Sequence, residues 1–369
     1  MSVDPAIVTR LRAFAHALVD PAHARVAIAA ERPDKGFWFG GGKMVQDTAG
    51  RLWLTGRYRS AGDSRTGLDL GDRGRELAVF TSGDEGATWT KALALDKAAV
   101  TPSGEPALSI EGSALRFVAG GVELYVSSEK RLPYPAPVAE YRKPGTGVWT
   151  IERLRAPSVA ELAGAKAETV LASSDPVTLQ IKDPFLHELP GGGALLFFCY
   201  HPFSWTSSGT GCVELAADSG IRGAPQFDCL PRGAAWDVAI SRATSVLPVP
   251  EELAPRGTGI MFYDGGECLR NLDEHAQATR RPRGYSCEEL GGLACYAGAD
   301  PRSATRISRL FPEFTSPEGT GCLRYVDVLA TRDAYFATWQ QGRADGSQPL
   351  MFRRVARSEA LARALAATP

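Results

Sequence analysis

Apolar and polar positions alternate along most of this chain in short runs, and nearly every run ends at Gly, Pro, Asp or Asn. Runs of this length, rich in Val, Leu, Phe, Tyr and Trp, predict β-strands. They come in pairs about short turns. Residues 43–46 and 51–57 flank DTAG, and 77–80 and 89–95 flank a Ser- and Gly-rich turn. Residues 114–118 and 122–127 flank AGG, 138–142 and 149–154 flank KPGTG, and 185–189 and 194–200 flank PGGG. Further runs lie at 237–247, 259–263, 293–297, 305–310, 323–330, 334–339 and 350–355. Helical spacing is rare. Asp4 precedes Pro5 as a cap, and Ile7, Leu11, Phe14 and Leu18 then share one face. Ser158 and Glu161 have the spacing of a capping box over 158–166, and a last helix is expected at 358–367.

The paired runs group in twos, giving five groups at roughly 36–95, 105–155, 180–230, 235–311 and 320–356. A repeated four-stranded meander predicts an all-β fold: a five-bladed β-propeller with short N- and C-terminal helices, one domain over 1–369. Residues 25–31 precede the first group and are expected to pair with the last, closing the ring. A β-sandwich would need only about seven strands in ~100 residues. Two copies of one tetrapeptide, in 209-GTGCVEL-215 and 319-GTGCLRY-325, are expected to mark equivalent blade starts.

The 369 residues are 44% hydrophobic, enough for one large domain or two ordinary ones. A net charge of −1, with no long run of either sign, speaks against nucleic acid or an anionic membrane surface as the main partner. No stretch is long and apolar enough to span a membrane. The first residues lack the basic-then-apolar layout of a signal peptide. The seven Cys all fall in the second half without a CxxC pair, which suits reduced thiols and a cytoplasmic protein. The five His are scattered, so neither a metal nor another cofactor is expected.

Ser82, Asp84, Gly86 and Trp89 are spaced S-x-D-x-G-x-x-W, a pattern that staples a hairpin and carries no nucleophile or base. It resembles the Asp box of sialidases and related propellers, a structural feature. A weaker echo, YRKPGTGVW, keeps Gly147 and Trp149. A second stretch, 182-KDPFLHE-188, resembles the R-D-P triplet on an innermost strand of five-bladed glycosidases of families 43 and 32. That resemblance implies that Asp183 orients substrate hydroxyls and tunes an acid, with further acids in blades one and four. Blade four opens with 235-AWDVAISRAT-244, so Asp237 is the positional candidate. Blade one departs from the pattern: 38-WFGGGKMV-45 offers Lys43 where a carboxylate is expected, while blade two offers Glu111.

Glycoside cleavage commonly uses two carboxyl groups. Glu111, Asp183 and Asp237 each begin a blade and could converge on one axis. The long insertion in blade four adds Tyr263, Asp264, Glu267, Arg270, Glu288 and Glu289, and long loops often carry function. Of these, Glu288 or Glu289 is the further candidate carboxylate. Arg57, Arg59, Arg242 and Arg324 could clamp an anionic or hydroxyl-rich group. Tyr325 resembles the sialidase tyrosine, although five blades and a single box set this chain apart from six-bladed sialidases. Lys43 and Asp264 complete the candidate substrate-binding set. Trp38, Phe39, Trp205, Trp236 and Tyr263 could offer rings to a sugar face. The expectation is a glycoside hydrolase acting on a terminal sugar of a small glycoside or oligosaccharide. A phosphorylase, or a catalytically silent glycan-binding propeller, are the alternatives.

Overall fold

A computed structural model describes residues 4–60, 74–267 and 289–367. Glu288 and Arg270 lie outside the described residues. Helix α1 (Pro5–Leu18) starts at Asp4, whose carboxylate accepts from the Ala6 N–H at 2.8 Å. Strand β1 (Arg25–Ile28) follows. Blade 1 holds β2 (Trp38–Gly40), β3 (Met44–Gln46), β4 (Leu52–Arg59), β5 (Glu76–Ser82) and β6 (Thr90–Asp96); β2 and β3 both pair with β4. Blade 2 is β7 (Ser109–Val118), β8 (Gly121–Lys130), β9 (Val148–Ala156) and β10 (Glu168–Leu171). Blade 3 is β11 (Gln180–Glu188), β12 (Ala194–His201), β13 (Gly209–Leu215) and β14 (Ile221–Gln226). Blade 4 is β15 (Ile240–Pro248), β16 (Gly259–Gly266), β17 (Leu290–Tyr296) and β18 (Thr305–Arg306). Blade 5 is β19 (Leu323–Ala330), β20 (Ala334–Gln341) and β21 (Leu350–Ala356), completed by β1 on β21. Helix α2 (Arg357–Leu365) ends the described chain. The five-bladed propeller is therefore the observed fold, and β1 joins the two ends of the chain in one sheet.

The core lies between blades rather than in one place. Leu77, Val79, Leu115, Leu124 and Leu154 fill the seam of blades 1 and 2, and Phe185, Phe197, Met261 and Tyr263 that of blades 3 and 4. Leu11, Phe14 and Leu18 of α1 are fully buried, and Phe14 meets Tyr335 edge-on at 5.3 Å. The amphipathic face thus covers blade 5 and the neighbouring apolar seam.

Some elements differ from their sequence pattern. Residues 138–142 are not a strand; they belong to a 3-10 segment, Ala136–Tyr141, in a stretch where Pro135, Pro137 and Pro144 remove backbone donors. Residues 158–166 form only a short 3-10 segment, Ala160–Gly164, because Ser158 Oγ donates to the Glu161 carboxylate at 2.7 Å instead of capping a helix. Edge strands β10 and β14 escape the pattern since one side faces solvent and hydrophobic alternation is weak. The repeated tetrapeptide does not mark equivalent starts: one copy opens the third strand of blade 3, the other precedes the innermost strand of blade 5. Likewise KPGTG joins β8 to β9, not the outer pair of blade 2.

The turn between β5 and β6 is stapled as its residues suggest. Ser82 Oγ donates to Asp84 at 2.7 Å and accepts from the Gly86 N–H at 2.9 Å. Asp84 also accepts from the Thr88 N–H at 2.9 Å and its hydroxyl at 2.6 Å, and these bonds, the Thr88 hydroxyl first, lower its carboxyl to about 2. Gly86 has φ +83°, and a Cβ there would stand 2.3 Å from the Phe352 ring of blade 5. Trp89 packs edge-on against the same ring at 5.9 Å. Gly86→Ala is therefore expected to cost about 1–3 kcal/mol, from left-handed strain and the clash. Urea unfolding checks this; an unchanged midpoint would show that the turn does not lean on blade 5.

Candidate active site

Four innermost strands lose register at the same level near the axis. The shift falls between Ile110 and Ser113 in β7, Lys182 and Phe185 in β11, Ala243 and Ser245 in β15, and Arg324 and Asp327 in β19. In blade 1 the strand breaks outright between β2 and β3, at Gly41, Gly42 and Lys43. A bulge re-aims consecutive side chains and leaves a backbone group without its ladder partner. Asp183 and Tyr325 sit at these bulges in the left-handed region, with φ +56° and +54°. Such backbone costs of order 1–3 kcal/mol and persists only where surroundings enforce it.

The enforcing contacts come from the neighbouring blades. The Asp183 N–H donates to Ser127 Oγ at 2.7 Å, and the Ala243 N–H to Thr210 Oγ1 at 2.8 Å. The Tyr325 N–H donates to both oxygens of Asp264, at 3.0 and 3.2 Å. Gly112 N–H donates to Asp183 Oδ1 at 3.1 Å, and a Cβ on Gly112 would come within 2.7 Å of that oxygen.

Charges alternate around the ring these bulges create. Arg242 is nearly fully buried and binds three carboxylates: Asp264 through Nε (3.1 Å) and Nη2 (2.7 Å), Glu289 through Nη2 (2.8 Å) and Asp183 through Nη1 (3.2 Å). Its guanidinium lies 4.1 Å from the Tyr325 ring centre. Arg324 Nη1 reaches the same Glu289 oxygen at 2.5 Å, and its guanidinium stacks on Trp38 at 4.5 Å. Glu111 is clamped on both oxygens, by Arg57 (Nε at 2.9 Å, and Nη2) and by Arg59 Nη2. Lys43 donates to the Thr244 carbonyl and lies 3.8 Å from Asp327, which in turn accepts the Met44 N–H at 2.8 Å. Gly41, Lys43, Asp183, Pro184, Arg242, Ala243, Thr244 and Tyr325 enclose a cavity of about 10 Å³, the size of one water.

The protonation states follow from burial set against these partners. Burial alone would raise Glu111, but Arg57, Arg59 and Lys182 hold it well below the usual carboxylate range. Glu289 is likewise held low against burial, by Arg242 and Arg324. Asp264 moves the other way, to about 6: burial and the Glu289 charge outweigh Arg242. Burial also lowers the Lys43 ammonium and keeps the Tyr325 hydroxyl protonated well above its ordinary range.

Of the candidates read from the sequence, Asp183, Glu289, Asp264, Arg324 and Tyr325 meet in one network through Arg242; the Arg57–Glu111–Arg59 clamp adjoins it, with Arg57 5.7 Å from the Tyr325 ring centre, and Lys43 lines the same cavity as Asp183. Asp237 does not join it. Its fully buried carboxylate faces Arg306 at 2.5 Å and the Tyr263 hydroxyl at 3.0 Å, on the other face of β16 from Asp264. Trp236 and Phe39 are core rings, while Trp205 is half-buried near the axis. Sequence reasoning missed Lys182 as a site residue. Strict alternation puts it on the opposite face from Asp183; the bulge beginning there brings its Nζ to 3.9 Å from that carboxylate. The signal available was Pro184, which breaks a ladder.

No family model and no curated protein sequence matches the chain. Solved structures do. A thermostable family-43 glycoside hydrolase superposes with a TM-score of 0.53 at 12% identity, over 89% of this chain and 92% of that one. An α-L-arabinofuranosidase from Lactobacillus brevis gives 0.56 at 10% identity, over 90% and 93%. A β-1,2-mannobiose phosphorylase from Listeria innocua gives 0.52 at 11% identity, over 95% and 97%. The chain shares its fold with family-43 glycoside hydrolases. The same architecture also serves the phosphorylase, so these likenesses show the fold alone.

The Glu111 clamp makes a pH-dependent prediction. A carboxyl held low in the folded state contributes stability that is present above its unfolded value, about 4.3, and is lost as pH falls. Glu111→Gln leaves two buried guanidiniums without their anion, so at pH 7 it is expected to cost about 3–5 kcal/mol. The gap to wild type should narrow at pH 3.5, measured by urea unfolding at both pH values. A gap independent of pH would contradict the assigned ionisation.

Proposed function

We propose that the protein is a glycoside hydrolase that cleaves a terminal sugar from a small glycoside or oligosaccharide at the propeller axis. One observation carries this reading: Arg242, which lines the axial cavity with Asp183, holds both Asp183 and Glu289, from different stretches of chain. Two-carboxyl hydrolysis needs one group that stays ionised and one that exchanges a proton. Glu289, kept ionised by Arg242 and Arg324 through one of its oxygens while both oxygens of Glu111 are clamped, takes the first role, as nucleophile. Asp183 is assigned to orienting substrate hydroxyls. Its bonds from the Gly112 N–H (3.1 Å) and Arg242 (3.2 Å) are ordinary ones, while the Tyr325 hydroxyl at 3.4–3.5 Å and Lys182 at 3.9 Å are longer contacts that substrate oxygens can replace. Glu111 is assigned to charge balance and Asp237 to the buried tie with Arg306.

A second reading, binding without turnover, is favoured by Lys43 standing where a blade-one carboxylate is expected and by the complete clamp on Glu111. Purified protein screened against aryl glycosides of neutral and acidic sugars, with and without phosphate, separates the readings. Turnover independent of phosphate, falling at least about 100-fold in both Asp183→Asn and Glu289→Gln, is the expected result. Asp237→Asn, assayed on the folded fraction, should keep kcat within about threefold. Turnover that requires phosphate would mark a phosphorylase. Sugar binding without turnover would favour the silent propeller.

A further inference from the structure

Blade 3 holds a pair of reactive groups that the axial site does not use. Cys212 in β13 and Cys229, in the crossover from β14 to blade 4, are both free thiols, 2% and 1% exposed. They stand on neighbouring lengths of backbone. Cys212 lies opposite Gln226 in the β13–β14 ladder, and the Cys229 N–H donates to the carbonyl of Thr210, on the same strand as Cys212, at 3.0 Å. Both side chains enter the apolar seam of blades 3 and 4, and the two thiols hydrogen-bond to each other. Their other contacts are weak: Cys212 Sγ is 3.9 Å from the Val213 carbonyl oxygen, and Cys229 Sγ 3.7 Å from that of Gln226. Cys199 and Cys322, by contrast, each meet a polar side chain, His201 and Gln348.

The two sulfurs differ in access. Cys212 belongs to an inner strand, paired on one side with β12 and on the other with β14. Cys229 belongs to the edge of the sheet. Asp228 before it is exposed, with φ +57°, and Pro231 and Arg232 beyond it are exposed as well. An edge segment opens at a lower cost than an inner strand, so opening presents Cys229 first. The hydrogen bond with Cys229, and then burial, keep the Cys212 thiol protonated well above its usual range. This part of β13 also supports the axis. Thr210 Oγ1 accepts the Ala243 N–H at 2.8 Å and donates to the Ser241 carbonyl at 2.8 Å, holding the bulge beside Arg242.

We propose that Cys212 and Cys229 form a reversible disulfide, made by exchange with a small-molecule disulfide of the glutathione class, that staples β13 to the crossover into blade 4. When the edge opens, Cys229 gives its proton to solvent and its thiolate attacks one sulfur of the small disulfide. That S–S bond breaks, a mixed disulfide forms on Cys229, and one thiolate leaves. Cys212 then gives up its proton, attacks the Cys229 sulfur and expels the second thiolate. The protein loses two electrons and two protons, and the small disulfide ends as two thiols. The new bond closes the chain between the two cysteines and stabilises mainly by restricting the unfolded state.

The test is incubation of the folded full chain with oxidised glutathione at mildly alkaline pH, capping of the remaining thiols with iodoacetamide, and mass mapping of unreduced peptides. A Cys212–Cys229 cross-link is expected, and dithiothreitol should remove it. The oxidised form should melt about 2–5 °C above the reduced form. Cys212→Ala should accumulate a glutathione adduct on Cys229, whereas Cys229→Ala should leave Cys212 unmodified. Thermal melts confirm that the variants fold, and Cys212→Ser and Cys229→Ser replace either one that does not. A cross-link that forms only in urea above the unfolding midpoint, a link between another pair of cysteines, or no adduct on Cys229 in the Cys212 variants would each overturn the proposal. So would an oxidised form that melts no higher than the reduced one.

Discussion

The five innermost strands of this propeller do not reach the axis with their ladders intact. The backbone shifts register in β7, β11, β15 and β19, and breaks between β2 and β3. Everything at the centre depends on that constraint. Each bulge exposes backbone donors that neighbouring blades must satisfy, as Ser127, Thr210 and Asp264 do. It also points consecutive side chains at the axis, so charged residues crowd where little water reaches.

Crowded charge is tolerable only in balance. Arg242 supplies most of it, linking the Tyr325 bulge through Asp264 to the Asp183 bulge and to Glu289 at the start of β17. The partners then differ in grip. Glu111 is locked on both oxygens by two arginines and takes a structural charge, while Asp183 lines the water-sized cavity. Asp264 shows why position in a network matters more than residue type. It lies in the same ring, yet both oxygens serve the Tyr325 backbone, and burial beside Glu289 lifts its carboxyl to about 6.

The periphery makes a complementary bargain. The stapled turn between β5 and β6 presses Gly86 and Trp89 on Phe352 of blade 5, and β1 on β21 joins the chain ends. These contacts join blade 5 to blade 1 and to the N-terminal strand from outside, while the strained backbone at Asp183 and Tyr325 is held at the axis by Ser127 and Asp264.

The sequence by itself determined the blades and the closing strand, because alternation and turn residues are local signals that survive without tertiary context. It also placed Asp183 and Glu111 at blade starts. It could not show β10 or β14, whose edge positions lack a clear pattern, nor the 3-10 segments that proline and a side-chain bond impose at 136–141 and 160–164. Only the tertiary structure separated Asp237 from Asp183, since the alternation along blade 4 says nothing of which strand carries Arg306 to meet it. Only it brought Lys182 beside Asp183, because a bulge cancels the period of two on which the sequence pattern rests.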